Sequence, residues 1–457
     1  MGNCPRIMLA SQQSGGGKTT VACGILKALL NRNYKPAAFK CGPDYIDTMF
    51  HSKAAGTPSQ NLDLFLADEI IAKGILCEYS SECDISVIEG AMGYYDGLGG
   101  CTDTASSWHL ANATQTPTVL IVNARGASLS LAASAIGFAS FRKSSMIKAL
   151  LLNNCSEALY NTLRPMLEKE TGLKVVGYIP HIKEISFESR HLGLVTADEI
   201  EDIKNKIEKL AEVLSQTVEL DQLIKIADTA PSLTGALPEI KRVSCKPLKL
   251  AVAKDKAFCF YYDANLRVLA ELGCELVFFS PLYDKQIPKQ ADGIYLGGGY
   301  PELYASQLSQ NKTMLDSIFN AVANGVPTLA ECGGFMYLHK ALFDNNGKKY
   351  KMTGVINAEC KNGGLKQFGY IKLSALDNNM LCSCGESINA HEFHYWQSDC
   401  QENSFIANKP VSGKSWNSIY TDKNLFAGFP HLYFYSNLGF AKRFVNAMLN
   451  YKEKITE

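Results

Sequence analysis

Ser14-Gly15-Gly16-Gly17-Lys18-Thr19-Thr20 decides the fold of the first half of the chain. An apolar run, Ile7-Met8-Leu9-Ala10, precedes it, and a helical pattern from Val21 to Leu30 follows. Strand, glycine turn, Lys-Thr and helix is the order that a phosphate-binding loop requires. Small residues let backbone N–H groups close on phosphate oxygens, and the helix N-terminus adds its positive end. On this reading Gly15, Gly17, Lys18, Thr19 and Thr20 bind ATP. Lys18 places its charge on the β- and γ-phosphates, and the Thr19 hydroxyl faces Mg²⁺. The strict spacing wants a glycine where the sequence has Gln12.

Working outward, Lys35-Pro36-Ala37-Ala38-Phe39-Lys40 reads as a second strand ending in a lysine. The turn after it, Cys41-Gly42-Pro43-Asp44-Tyr45-Ile46-Asp47, carries two acids. Ile85 to Ile88 reads as a third strand, running into Glu89-Gly90-Ala91-Met92-Gly93-Tyr94-Tyr95-Asp96-Gly97. Thr118–Val122, Lys148–Leu152 and Gly177–His181 add further strands, with helical patterns between them. Such alternation predicts a parallel sheet with helices on both faces. Ligands of open α/β sheets gather at strand C-terminal ends, where these acids fall. Mg²⁺ takes one or two carboxylates beside phosphate oxygens and water, so Thr19 with some of Asp44, Asp47 and Glu89 is the expected set. A lone Asp more often caps a turn or helix; recurrence at successive strand ends favours function here. Asp96 lies farther along its loop.

From Ala197 to about Ala227 the pattern is helical, and Asp228–Pro247 is polar with three prolines. That stretch is the best linker in the chain. The expected division is residues 1–195 for the ATP-binding domain, 196–247 for a helical segment and linker, and 248–457 for a second α/β domain.

The second domain restarts a sheet at Leu248–Ala253, and a later strand, Gly293–Leu296, runs into Gly297-Gly298-Gly299-Tyr300-Pro301-Glu302. Consecutive glycines after a strand expose N–H groups suited to an oxyanion hole. Pro327–Ala330 then meets Glu331-Cys332-Gly333-Gly334. This resembles a nucleophile elbow, with a central nucleophile and small residues after it. It predicts a sulfur exposed above the sheet, its pKa lowered by the helix start. The base must be a histidine from elsewhere: His391 and His394 in Ala390-His391-Glu392-Phe393-His394, or His431 in Phe429-Pro430-His431-Leu432-Tyr433.

Composition sets the outer bounds. Lys+Arg and Asp+Glu are 45 each, so no net charge argues for nucleic acid or an anionic membrane as partner. No apolar run reaches a membrane span, and no signal-peptide pattern opens the chain, so the expected location is cytoplasmic. The 15 cysteines then read as reduced thiols. Cys382-Ser383-Cys384 lacks the second pair of a zinc site.

The Ala-Glu-Cys-Gly-Gly motif, Leu-Gly-Gly-Gly-Tyr-Pro-Glu and His431 resemble a class I glutamine amidotransferase domain. Lys-Cys-Gly-Pro-Asp-Tyr-Ile-Asp and Glu-Gly-Ala-Met-Gly-Tyr-Tyr-Asp-Gly resemble the dethiobiotin-synthetase-like amidoligase fold. Both in this order, with His-Glu-Phe-His between, resemble the cobyrinic acid a,c-diamide synthase family over nearly the whole chain. The resemblance implies amidation of two acetate side chains of a corrin substrate with ATP, Mg²⁺ and L-glutamine. It implies Cys332 as nucleophile, His431 as its activating base, and Gly298 and Gly333 as oxyanion donors. It assigns Lys18, Thr19 and Lys40 to the phosphates, Asp44, Asp47 and Glu89 to metal and nucleotide, and Asp96 to the substrate or its intermediate. The two-site mechanism leads to the hypothesis that ammonia travels through a protein path between the domains; oligomeric state stays open, a homodimer among the options.

Two positions depart from the pattern. Tyr433 stands where most class I amidotransferases place a glutamate, so the group that orients His431 is unassigned. Ser11 replaces the glycine that commonly opens this family's loop, and weaker ATP binding is expected. The rival readings are the same chemistry on hydrogenobyrinate or nickel sirohydrochlorin, and a P-loop ATPase switch.

Overall fold

The computed structural model describes residues 4–56, 58–182 and 203–456. The chain forms two compact units, Met1–Pro238 and Glu239–Glu457. The boundary expected at 195 and the helical pattern from Ala197 to residue 202 lie outside the described residues. No helix among the described residues is long and apolar enough to cross a membrane.

The first unit runs β1 (Arg6–Ser11), α1 (Lys18–Asn31), β2 (Pro36–Cys41), α2 (Ile46–Ala55), β3 (Gln60–Leu62), α3 (Glu69–Tyr79), β4 (Ile85–Glu89) and α4 (Ser107–Ala113). It continues β5 (Thr118–Asn123), α5 (Ser130–Ser140), β6 (Ile147–Asn153), α6 (Glu157–Thr171), β7 (Lys174–Ile179), α7 (Ile203–Thr217) and α8 (Leu220–Asp228). The sheet order is β3-β2-β4-β1-β5-β6-β7 and every pairing is parallel. All six residues of β1 and of β2 are buried, the continuous burial that a sheet covered on both faces requires. Right-handed crossovers carry α1 and α2 to one face and α3 to α6 to the other. The winding reverses between β4 and β1, so their C-terminal ends flank a crevice.

The segment beyond α8, expected as linker, is tied to this unit at its start. Arg6, fully buried, donates to the carbonyls of Cys4 (2.9 Å), Thr114 (2.8 Å) and Pro231 (3.0 Å). A buried guanidinium must fill its donors, and Pro231 supplies an acceptor from that segment. Helix α7 packs on α1 where Gly24 leaves room: a Cβ there would stand 2.2 Å from Leu214 Cδ1 and 2.8 Å from Leu210 Cγ.

The second unit contains β8 (Leu248–Ala253), α9 (Asp263–Glu271), β9 (Cys274–Phe279), β10 (Gly293–Leu296), α10 (Ala305–Gln310), α11 (Lys312–Ala323), β11 (Thr328–Glu331) and α12 (Gly333–Leu338). Then follow β12 (His339–Phe343), β13 (Lys349–Lys351), β14 (Ile356–Asn362), β15 (Phe368–Ala375), β16 (Ser387–Phe393), β17 (Trp396–Ser398), β18 (Phe405–Asn408) and β19 (Ser415–Ser418). Last come β20 (Tyr420–Asp422), β21 (Leu425–Gly428), β22 (His431–Leu432) and α13 (Leu438–Thr456). Its main sheet, β20-β21-β11-β10-β8-β9, is parallel except for β20 at the edge. The α/β class expected from sequence holds in both units. The second also carries two sheets that the pattern did not announce: β13-β12-β14-β17, of mixed direction, and the antiparallel β19-β18-β15-β16-β22.

The close approach at Gly24 makes a stability prediction. Gly24→Val forces branched bulk between α1 and α7 and should cost about 1–3 kcal/mol, read as a lower midpoint in urea unfolding of the whole chain.

Candidate active sites

In the first unit the phosphate loop leaves β1 and turns on Gly15 (φ 72°) and Gly17 (φ 86°), both in the left-handed region. Gly16 sits so close to Ser11 that a Cβ would come within 2.6 Å of its side chain. Asn153, at the end of β6, donates to Gly16 O at 3.0 Å and anchors the loop from outside. Thr20 lies in the first turn of α1. Lys18 folds across the loop, with Nζ 2.6 Å from Met92 O and 3.0 Å from Ser11 Oγ. Ser11 therefore follows the strand and gives Lys18 a resting partner, which a glycine would not. Burial, then the neighbouring Lys40 charge, pull the Lys18 ammonium down to about 8.

Thr19, Lys40, Asp47 and Glu89 meet at the crevice. Thr19 Oγ1 lies 3.0 Å from Asp47 Oδ1 and 2.8 Å from Glu89 Oε1. Lys40 Nζ lies 2.5 Å from Asp47 Oδ2 and 2.8 Å from Glu89 Oε1. Burial would raise Glu89, but Lys40 and His51 overcome it and hold the carboxyl well below its ordinary range. Burial and the nearby Glu89 raise Asp47 to about 6. Burial opposes the Lys40 ammonium, yet Asp47 and Glu89 hold it charged, well above the usual lysine range.

His51 escaped the sequence reading. Its Nε2 lies 2.6 Å from Glu89 Oε2 and its Nδ1 3.2 Å from Ser59 Oγ, all buried. The available signal was its place four residues after Asp47, on one face of α2. Asp44 takes the capping role: its Oδ1 accepts the N–H groups of Ile46 (2.7 Å) and Asp47 (3.0 Å). Asp96 is exposed and staples its own loop, Oδ2 accepting Gly93 N–H at 2.9 Å. Among the described residues no three His, Cys, Asp or Glu gather to hold a metal unaided. The all-oxygen set of Thr19, Asp47 and Glu89, bridged by the Lys40 ammonium, suits a hard cation completed by phosphate oxygens and water.

In the second unit Cys332 joins β11 to α12 at φ 46°, ψ −102°. Such a backbone costs about 1–3 kcal/mol and is held only by its surroundings. Cys332 N–H donates to Gly428 O at 2.8 Å, and Gly334 N–H donates to Gly297 O at 2.9 Å. A Cβ on Gly334 would strike Leu296 O at 2.2 Å, so glycine is required for α12 to seat against β10. The sulfur is not exposed as expected: Cys332 is buried, and burial followed by Glu302 pushes its thiol far up despite a hydrogen bond from Gly333. A helix of six residues offers little opposing field.

His431 stands beside this turn. A Cβ on Gly298 would lie 2.4 Å from its Cε1. Of the other candidate bases, His394 is committed to structural partners. His394 has Nδ1 2.6 Å from Trp396 O and Nε2 2.8 Å from Glu392 Oε1, with its ring stacked on Phe429. His391 faces His431 across the β16–β22 pair and is held neutral, pushed down to about 3 by burial and then by His431. Glu331, the residue before the nucleophile, has Oε2 3.8 Å from His431 Nδ1. Sequence reading had passed over Glu331.

Gly298, expected as an oxyanion donor, has its amide engaged elsewhere. Its N–H donates to Phe260 O at 3.2 Å, closing a small bridge. The next amide, Gly299 N, lies 3.0 Å from the Cβ position of Gly333, and no carbonyl among the described residues takes its N–H. Gly299 has φ 153°, and a Cβ there would meet Ala257 O at 2.1 Å.

Two domain families match the chain: a CobQ/CobB/MinD/ParA nucleotide binding domain over residues 7–195 and a CobB/CobQ-like glutamine amidotransferase domain over residues 249–438. The chain is 37% identical over 455 residues to a cobyrinate a,c-diamide synthase of Caldanaerobacter subterraneus subsp. tengcongensis, covering 99% of this chain and 100% of that one. It is 41% identical over 446 residues to the protein of that name in Clostridium acetobutylicum, covering 96% and 99%. With that of Thermoplasma volcanium it shares 38% over 454 residues, 98% of each.

The buried lysine of the loop generates a pH prediction. Phosphate binding needs the ammonium, so ATP affinity should be level below pH 8 and fall up to about tenfold per pH unit above it. Calorimetric titration of nucleotide across pH 6.5–9.5 reads this, and Lys18→Arg, which keeps its charge, should flatten the profile.

Proposed function

The chain belongs to the cobyrinate a,c-diamide synthase family, and from that premise we propose which residues carry each half of the reaction. The activity is ATP- and glutamine-dependent amidation of the a and c acetate carboxylates of cobyrinate, in cobalamin biosynthesis. Hydrogenobyrinate and nickel sirohydrochlorin are not favoured as substrates beside relatives that carry the cobyrinate name. A switch ATPase would have no use for the elbow at Cys332. The observation that carries the assignment is a phosphate loop facing converged carboxylates in one unit, and a strained cysteine turn beside a histidine in the other.

A carboxylate is a poor acceptor for ammonia because oxide would have to leave. In the first unit a substrate carboxylate oxygen bonds to the γ-phosphorus of ATP, the bond to ADP breaks, and an acyl phosphate results. Positioning and charge neutralisation do most of this work. Lys18 releases Met92 O and Ser11 to meet the phosphates, and Lys40 balances Asp47 and Glu89. Mg²⁺, held by Thr19, Asp47 and Glu89, would supply further neutralisation of phosphate charge; Asp44 is left to cap α2. Exposed Asp96, on the loop that begins with Glu89, faces the incoming corrin.

In the second unit the Cys332 thiol gives its proton to His431 as sulfur bonds to the side-chain carbonyl carbon of glutamine. The thiol is too basic to rest as thiolate, so proton transfer accompanies attack. The oxyanion is met by Gly333 and Gly299, the neighbour of the expected Gly298. His431 returns the proton to nitrogen, ammonia leaves, and water cleaves the thioester to glutamate. Ammonia then displaces phosphate from the acyl phosphate.

Purified protein with cobyrinate, ATP and Mg²⁺ tests the division of labour, with products read by mass. Cys332→Ser should lose glutamine-dependent amidation and keep an ammonia-dependent one. Lys18→Ala should lose both. Ammonia failing to rescue Cys332→Ser would reject separate sites, and amidation surviving in Lys18→Ala would reject the phosphate-loop assignment.

A further inference from the structure

Tyr433 poses the question of what orients the base, because it stands where a carboxylate would serve. Its ring is buried edge-to-face against Tyr262, centroids 5.1 Å apart, as part of the core. An acid reaches the His431 ring from another strand. Glu331 ends β11, directly before the nucleophile, with Oε2 3.8 Å from His431 Nδ1.

Every other feature of Glu331 fixes that carboxylate in place. It is buried to 2% exposure. Oε1 accepts Leu432 N–H at 3.0 Å, from the residue after His431, and Oε2 accepts the Tyr295 hydroxyl at 2.8 Å. No lysine or arginine among the described residues pairs with it. A buried carboxylate answered only by neutral donors is costly unless a cation forms nearby, and His431 becomes one when it takes the thiol proton.

We infer that Glu331 is the positioning residue of the glutaminase half, holding His431 with its proton on Nδ1 and stabilising the imidazolium formed during attack on glutamine. This deepens the assignment of His431 as base and rests on it. The Nδ1 contact directs Nε2 toward the sulfur as acceptor. The separation exceeds a hydrogen bond in the uncharged state and closes as the ring gains charge, as catalytic contacts often do on binding. The charged and titratable groups around His431 include Glu331 from β11 and, across the strand pair, His391 from β16, which itself feels the charge of Lys409. Tyr295 from β10 meets Glu331 and stays un-ionised, its phenol pushed far up by burial and then by that carboxylate. Glu331 thus stands in ion-pair reach of the ring.

The test measures glutaminase kcat/KM against pH in the full-length protein. Glu331→Gln should lower kcat/KM by roughly a hundredfold and move the acid limb to lower pH, since the imidazolium loses its counter-charge. Ammonia-dependent amidation should stay at wild type. Tyr295→Phe, which leaves the carboxylate less satisfied, should move the limb the opposite way. A wild-type rate and limb in Glu331→Gln would overturn the inference, as would limbs unmoved in both variants. Should Glu331→Gln not fold, Glu331→Asp and Tyr295→Phe carry the test, the Asp variant keeping the limb with a reduced rate. His431→Ala separates the two layers. Lost glutaminase there beside an intact Glu331→Gln rejects the inference alone, while retained glutaminase rejects the base assignment beneath it.

Discussion

Glu89 is buried at the end of β4, and its negative charge has to be answered inside the protein. Thr19, Lys40 and His51 each come within 2.8 Å of it, from α1, β2 and α2. One carboxylate thereby fixes the register of the phosphate loop against two neighbouring strands. Burying such a group alone would be prohibitive, and paired it stabilises only when its hydrogen bonds are complete. The cluster thus demands an ordered sheet edge, and the sheet edge gives the nucleotide a prebuilt floor.

The second unit solves a different problem, since it holds a buried cysteine on a strained strand-to-helix turn. A thiol pushed up by burial is inert until a base is aligned with it. The backbone at Cys332 is strained, and the glycines at 299 and 334 are dictated by neighbouring carbonyls of Ala257 and Leu296 rather than by flexibility. Loss of any of these contacts would relax the turn and misdirect the sulfur.

Much of this was legible in the sequence because parallel strands are apolar throughout and end abruptly. Ile7–Ala10, Ala37–Lys40 and Ile85–Glu89 display that pattern, and the polar ends of the last two, Lys40 and Glu89, meet in the proposed nucleotide site. What escaped has one cause: it depends on pairs distant in sequence. His51 means little until Glu89 lies beside it. Glu331 reads as a flank of the cysteine motif until His431 arrives from a hundred residues later. The antiparallel strands between Lys349 and Asp422 pair with partners that sequence alone does not name, although β16 alternates along its whole length. The direction of the Cys332 shift was misread because a motif reports the turn and not the depth at which it is buried.

Cys332 and His431 belong to different sheets. Cys332 caps β11 of the parallel sheet, whereas His431 sits on β22, two residues long, whose ladder is formed with β16 of the antiparallel one. Their alignment is therefore an assembly tolerance between two separately stiff bodies. Residues wedged between those bodies, such as Phe429 with Phe335 on one side and His394 on the other, act as shims. Altering a shim leaves both sheets folded and shifts the meshing of sulfur and imidazole, so wear at this joint would surface as lost turnover long before it surfaced as lost structure.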